Sequence, residues 1–128
     1  MERILLVEDE IIVALDLEYI LQLAGHDIVG IAPDTESALE IAPDCTLALV
    51  DVNLRDGRTG PAIAAEIVRR HGAKILFVTA NPEQIGDAVH IAEGFVSKPF
   101  NRAAIIRAIA SARVDGSGPN ALPAQAAI

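Results

Sequence analysis

The chain alternates short, continuously apolar runs with longer stretches of helical periodicity, and this alternation limits the fold more than any other feature. Successive side chains of a strand point to opposite faces, so a run that is apolar throughout is typical of a strand covered on both sides. Strands that alternate with helices predict right-handed crossovers and an α/β fold with a doubly wound, five-stranded parallel sheet. The predicted strands are residues 3–7 (RILLV), 27–32 (DIVGIA), 46–52 (TLALVDV), 74–80 (KILFVTA) and 94–100 (GFVSKPF).

The helical patterns between these runs differ in strength. Residues 81–93 have few apolar positions and are interrupted by Gly86, so we predict that the fourth helix is short or irregular. The last pattern begins after Asn101, whose side chain is the predicted N-cap. The better-defined helices are predicted at residues 11–23, 33–41, 61–70 and 101–114.

The pattern ends after Val114. Residues 115–128 contain Gly, Pro and small side chains without a sustained period, which predicts a flexible tail. We therefore expect one domain, residues 1–114, with no output domain behind it. A chain of 128 residues is long enough to bury about 65–70% of its unfolded surface around one core.

Composition excludes several classes of function. The formal net charge of -8 argues against a surface for nucleic acid or anionic membrane, since phosphate contacts need clustered Lys and Arg, and it favours cations or basic partners. The single cysteine, Cys45, is expected to be a small packed side chain in a reducing compartment, and the scattered histidines do not form a zinc motif. The N-terminus has too short an apolar run for a signal peptide or a membrane span. We expect a cytoplasmic protein.

Polar residues stand where four of the predicted strands end. Glu8 and Asp9 follow the first strand, Asp51 lies in the end of the third, and Thr79 and Lys98 belong to the ends of the fourth and fifth. The carboxyl ends of parallel strands meet at one edge of the sheet, where ligands bind. Clustered carboxylates select a hard cation such as Mg²⁺, and a cation beside a lysine can receive a phosphoryl group. Asp51 is then the candidate nucleophile, and Thr79 can donate its hydroxyl to a phosphoryl oxygen.

Each of these residues also has a structural explanation. Acids at positions 8–10 are favoured at the start of a helix, where they cap it and complement its dipole. Asp51 suits a turn, Lys98 a solvated strand end and Thr79 a strand. None of these explanations requires all of them to converge on one edge, so the combination favours function.

Four motifs carry a resemblance to a known family. The chain resembles the receiver domains of bacterial two-component response regulators over residues 2–114, and this resemblance implies a flavodoxin-like (βα)5 fold with strand order 2-1-3-4-5. The motifs are LLVEDE, ALVDVNL, FVTA and VSKPF, which resemble the family's acidic pair, phosphoacceptor strand, switch threonine and Lys-Pro signature.

The resemblance also implies roles for individual residues. Asp51 would be the phosphorylated residue, Thr79 and Lys98 would contact the phosphoryl group, and the peptide bond before Pro99 would be cis. The implied Mg²⁺ ligands are the carboxylates of Glu8, Asp9 and Asp51 and the backbone carbonyl of Asn53. The phosphodonor would be a sensor histidine kinase or a histidine phosphotransfer protein.

Three features depart from the usual family pattern. The loop NLRDGRTG, residues 53–60, lacks the usual Pro and Met and resembles stand-alone receivers and those of alphaproteobacterial general-stress regulators. Phe95 occupies the aromatic switch position, but it has no hydroxyl and could instead belong to the core. The family normally has a well-formed fourth helix where this chain has residues 81–93, and that helix forms its main output surface. The departure puts in question whether Thr79 couples the site to this surface.

The sequence thus predicts a single-domain response regulator, monomeric or weakly dimeric, that acts by protein contact or as a phosphate shuttle or sink. It would catalyse only its own phosphorylation and slow dephosphorylation, and is otherwise not an enzyme. The side chains of Asn53 and Asn81 are candidates for setting the rate of dephosphorylation.

Three alternatives come from other classes. The strongest is a pseudo-receiver, a scaffold that keeps the fold and signals without phosphorylation. A flavodoxin-like nucleotide module needs backbone donors after the first strand, where VEDEII would repel a phosphate. A phosphatase with an Asp-x-Asp pair is disfavoured because Asn53 stands at the second acidic position.

Overall fold

The computed structural model describes residues 1–112 and contains a five-stranded sheet between two layers of helices. The strands are β1 (Arg3–Val7), β2 (Asp27–Ala32), β3 (Leu47–Val50), β4 (Lys74–Thr79) and β5 (Gly94–Ser97). The α-helices are α1 (Ile11–Leu23), α2 (Thr35–Ile41), α3 (Gly60–His71) and α4 (Arg102–Ala112). Short 3₁₀ turns occur at Ala42–Asp44, Pro82–Gln84 and Gly86–Ile91.

All neighbouring strands are parallel, in the order β2-β1-β3-β4-β5. The predicted fold class and strand order are therefore confirmed. The chain crosses from β2 over β1 to β3, so the strand order reverses between β1 and β3. In sheets of this type the functional crevice lies at the carboxyl ends of the strands beside such a reversal.

The core has two parts, one on each face of the sheet. One part packs β1, β3 and β4 against α2 and α3, and the other packs them against α1 and α4. Within β1, Leu5 and Val7 face the first part, while Ile4 and Leu6 face the second, and all four are fully buried. Burying each such side chain contributes about 1.5–3 kcal/mol, which is why the strands are apolar throughout.

Local chemistry explains where several helices begin and end. The Asn101 Oδ1 atom accepts a hydrogen bond from the Ala104 N–H at 2.8 Å, which confirms the predicted N-cap of the last helix. The Asp34 Oδ1 atom caps α2 by accepting from the N–H and the hydroxyl of Ser37. Helix α3 ends at His71, and its C-cap Gly72 adopts a left-handed conformation with φ of 67°.

Residues 81–93 contain no α-helix, and the prediction of a short or irregular element is confirmed. Two 3₁₀ turns replace it, Pro82–Gln84 and Gly86–Ile91. Gly86, the first residue of the second turn, has φ of 65°, a conformation that favours glycine and breaks helical continuity.

Other predictions have mixed outcomes. The fifth strand ends at Ser97 rather than at residue 100, because Pro99 has no N–H to continue the ladder. Cys45 is buried as predicted, and burial raises the pKa of its thiol to about 11. The predicted end of the last helix at residue 114 and the predicted tail, 115–128, lie outside the described residues. Within residues 1–112, no helix is long and apolar enough to cross a membrane.

Candidate functional site

The ends of β1 and β3 place two acids side by side. Val7 pairs with Val50 in parallel register, so Glu8 and Asp51 are the next residues on adjacent strands. Carboxylate oxygens of Glu8, Asp9 and Asp51 all lie within 4.8 Å of one another. At such separations two carboxylates repel each other by on the order of 3 kcal/mol for an effective dielectric constant near 20. The cluster therefore needs positive charge.

Lys98 supplies one positive charge to this cluster. Its Nζ atom lies 2.9 Å from Glu8 Oε1 and 2.8 Å from Asp51 Oδ2, and its side chain is only 13% exposed. Two backbone contacts position Lys98. Thr79 pairs with Ser97 as the last pair between β4 and β5, and the Lys98 N–H donates a hydrogen bond to the Thr79 carbonyl. The Lys98–Pro99 peptide bond is cis, as the resemblance implies.

The pKa shifts of Glu8 and Lys98 have different causes. Burial raises the pKa of the Glu8 carboxyl, and the hydrogen bond from Lys98 offsets this only in part. Burial alone would lower the pKa of Lys98, but its hydrogen bonds to Asp51 and Glu8 outweigh this effect and raise the pKa above its ordinary value. Lys98 therefore stays protonated. The cluster has three carboxylates and one lysine, and a divalent cation could neutralise the remaining negative charge.

Asp51 forms part of the wall of a cavity of about 260 Å³ at this edge of the sheet. Its Oδ1 atom accepts a hydrogen bond from the Val52 N–H at 2.7 Å, while Oδ2 accepts from Lys98. These two contacts fix the orientation of the carboxylate. The cavity is lined by Asp9, Glu10, Asp51, Asn53, Leu54, Ala80, Asn81 and Lys98.

The donor set of this cluster fits Mg²⁺. Carboxylate oxygens are hard ligands, and Mg²⁺ usually takes one or two of them while keeping several waters. Glu8 and Asp51 are buried, whereas Asp9 is exposed. The cluster therefore has two buried carboxylates and one that solvent can reach. The cavity beside it has room for the waters that this ion retains.

Thr79 and Asn81 lie at the end of β4. Thr79 is buried, and its Oγ1 atom accepts a hydrogen bond from the Asn81 N–H at 3.0 Å. Asn81 and Ala80 line the cavity, so the chain after Thr79 passes directly over the site. The hydroxyl of Thr79 is an acceptor in this bond and keeps its own proton to donate.

The remaining predicted residues have different surroundings. Asn53 lines the cavity, and its Nδ2 atom donates to the Oε1 atom of Gln84 at 2.8 Å. Phe95 is 48% exposed on β5, so the expectation that it could belong to the core is wrong. Phe95 lies on β5, an edge strand of the sheet that pairs only with β4 among the described residues.

The structure also tests the capping explanation for the acids at positions 8–10. Glu10 is the N-cap of α1, but its side chain makes no capping hydrogen bond, and the first turn of the helix contains no acid. The Glu8 Oε2 atom accepts from the Glu10 N–H at 3.1 Å, while its Oε1 atom faces Lys98. Capping therefore does not account for the cluster.

Sequence reasoning missed contacts that affect this site. Gly60, the first residue of α3, lies so close to β3 that a Cβ atom there would overlap the Asp51 carbonyl oxygen and lie 2.8 Å from the carbonyl carbon. Glu10 places its Oε1 atom 3.5 Å from Lys98, and Gln84 bonds Asn53. A glycine directly before Pro61 at a helix start could have marked the first of these, since glycine is a poor helix former.

Glu8→Gln is expected to change how stability depends on pH in the metal-free protein. Because its pKa is raised above the ordinary 4.5, the folded state binds this proton more tightly than the unfolded chain does. Glu8 therefore supports folding at acidic pH, and this contribution is lost as the pH rises from about 4.5 through the raised folded value. Thermal unfolding at stepped pH in a chelating buffer should show that loss in the wild type and not in Glu8→Gln.

Glu10→Gln is the matched control, because Glu10 is exposed and carries the same charge. It should keep the pH dependence of the wild type. The same pH dependence in Glu8→Gln and in the wild type would contradict the assignment.

The chain is similar in sequence to known regulatory proteins. The phyllosphere-induced regulator PhyR of Methylorubrum extorquens is 31% identical over 114 residues, which cover 86% of this chain and 43% of that protein. The transcriptional regulatory protein PdtaR of Mycobacterium tuberculosis is 34% identical over 84% of this chain and 54% of its own length. The chain thus spans about half the length of these relatives.

Solved structures have the same fold. The receiver domain of the Erythrobacter litoralis PhyR response regulator has a TM-score of 0.83 at 28% identity, covering 94% of this chain and 96% of that one. The response regulator protein TrrA of Thermotoga maritima, solved in complex with Mg²⁺ and BeF, has a TM-score of 0.76 at 28% identity, covering 88% and 99%. The model of the response regulator receiver domain matches residues 4–110, and the chain therefore belongs to this family of two-component signalling domains.

Proposed function

We propose that this receiver domain accepts a phosphoryl group on Asp51 from a phosphohistidine of a histidine kinase or a histidine phosphotransfer protein, in a reaction that depends on Mg²⁺. The observation that carries this proposal is the Asp51 carboxylate itself. It forms part of the cavity wall, is oriented by Val52 and Lys98, and lies beside two further acids.

In the proposed transfer, a carboxylate oxygen of Asp51 attacks phosphorus, the new O–P bond forms, and the P–N bond to the donor imidazole breaks. The imidazole leaves with the electron pair of that bond. Lys98 pairs with the charge of the transferring oxygens, and Thr79 donates its proton to another phosphoryl oxygen. Glu8, Asp9, Asp51 and the Asn53 carbonyl would hold Mg²⁺, which neutralises phosphoryl charge when bound.

Hydrolysis of the acyl phosphate would return the domain to its starting state. In this step a water molecule attacks phosphorus, the O–P bond to Asp51 breaks, and inorganic phosphate leaves while the Asp51 carboxylate is regenerated. The side chains of Asn53 and Asn81 belong to residues that line the cavity where this water would lie. In this proposal the two side chains orient or obstruct that water and so set the rate of dephosphorylation. The phosphorylated domain would then act through protein contacts, as a shuttle or sink for phosphate or on a downstream protein.

The test is the intact mass of the protein after incubation with acetyl phosphate, with Mg²⁺ and with a chelator. We expect the gain of one phosphoryl group only with Mg²⁺, and peptide mapping should place it on the segment that contains Asp51. A parallel Mg²⁺ titration measures metal binding without any transfer. Absence of both phosphorylation and Mg²⁺ binding would contradict the proposal and favour a pseudo-receiver that signals without phosphate.

A further inference from the structure

A hydrogen bond joins the loop after the proposed phosphoacceptor to the irregular segment that replaces the fourth helix. The Asn53 Nδ2 atom donates to the Oε1 atom of Gln84 at 2.8 Å. Asn53 is the second residue after Asp51, and Gln84 is the last residue of the turn Pro82–Gln84. Their bond therefore joins a residue that lines the cavity to this turn.

Buried neighbours hold both ends of this bond in place. Leu54, next to Asn53, is 6% exposed, and Ile85, next to Gln84, is 2% exposed, and both belong to the same part of the core. The Gln84 N–H also donates to the Asn81 carbonyl at 2.9 Å. Gln84 thus contacts both asparagines that line the cavity, one through its side chain and one through its backbone.

We propose that Gln84 is a positioning residue, which holds the Asn53 amide at the cavity and couples the state of the Asp51 site to the two turns within residues 82–91. Without the Gln84 acceptor, the Asn53 amide can rotate about its side-chain bonds and no longer presents a fixed face to attacking water. Conversely, a phosphoryl group or metal that moves Asn53 strains or breaks this bond and so reaches the turns. The part of the proposal that concerns phosphoryl lifetime rests on the proposed function.

The coupling through Gln84 differs from the switch that the family resemblance implies, in which Thr79 and an inward-turning aromatic residue link the site to the surface. It does not require that switch. Phe95 is exposed and carries no hydroxyl, whereas the Asn53–Gln84 bond connects the site directly to the neighbouring segment. The Asn53–Gln84 bond is exposed, so its net contribution to the free energy of the conformation that it holds is that of an ordinary neutral hydrogen bond. We expect effects of about two- to fivefold on phosphoryl lifetime.

The experiment compares Gln84→Ala, Asn53→Ala, the double variant and Gln84→Glu in the full chain. If Gln84 acts through Asn53, the double variant should have the phosphoryl lifetime of Asn53→Ala alone, and Gln84→Glu, which keeps an acceptor, should restore the wild-type lifetime. Glu83→Ala, on the same turn with an exposed side chain, is the matched control and should have no effect. Independent effects of the two single variants, multiplying in the double variant, would overturn the proposal.

A second readout does not depend on phosphorylation. The side-chain amide resonances of Asn53 in nuclear magnetic resonance spectra should shift when Gln84 is replaced by Ala, and the Mg²⁺-induced shifts of residues 82–91 should shrink in the same variant. Unchanged Asn53 amide resonances in Gln84→Ala would overturn the positioning role. If acetyl phosphate leaves the protein unmodified while these shifts appear, the proposed function is wrong and the positioning role stands.

Discussion

Asp51→Asn should abolish phosphorylation at every concentration of phosphodonor and Mg²⁺. An amide is not a nucleophile of the required kind, and the remaining acids at the site differ in position and contacts. Asn also has one acceptor oxygen where Asp51 has two, so either the Val52 N–H or Lys98 loses its bond, which costs about 1 kcal/mol. Relief of repulsion within the acidic cluster offsets this cost, so we expect a folded variant. Intact mass and thermal unfolding measure the two effects.

Asp9→Asn tests the role of the metal site without changing the nucleophile. It removes an exposed carboxylate of the cluster but leaves Asp51 and its contacts in place. We expect slower phosphorylation that higher Mg²⁺ concentrations partly restore, because a weakened metal site can be refilled by mass action. The proposal would be contradicted if Asp51→Asn gained the phosphoryl group as fast as the wild type.

Gly60→Ala is expected to destabilise the protein by about 1–3 kcal/mol and to slow phosphorylation. Helix propensity alone predicts the opposite sign, since Ala stabilises a helix by up to about 1 kcal/mol relative to Gly. The close contact should prevail, because the obstacle is the backbone of Asp51 and Val52 rather than a flexible side chain. Either the start of α3 or the end of β3 must move. Chemical denaturation and the initial rate of phosphorylation measure the two consequences.

Gly25→Ala is the matched control for this experiment. Gly25 has φ of 94°, and a Cβ atom there would meet nothing within 4 Å. Its replacement should cost about 1–2 kcal/mol through backbone strain alone and leave phosphorylation unchanged. A stability gain in Gly60→Ala would show that the helix start can move freely away from Asp51.

Much of the fold follows from local pattern. The apolar strands and the helical spacing of residues 11–23 predict the doubly wound sheet, since a parallel strand must be covered on both faces. The N-cap Asn101 and the break at Gly86 are likewise local, because each depends on one residue and its immediate neighbours. The strand ends also predicted which polar side chains share one edge of the sheet.

The sequence by itself therefore determined the architecture and the acids, threonine and lysine at the strand ends that form the candidate site. Tertiary structure decided what each member does there. Glu8 is buried beside Asp51, and Lys98 forms ion pairs with three acids. These contacts, like the exposure of Phe95, depend on neighbours that are far apart in the chain. The contact of Gly60 with Asp51 and the bond between Asn53 and Gln84 are likewise products of packing. Desolvation and steric contact act through space, so residue types and spacing alone could not reveal them.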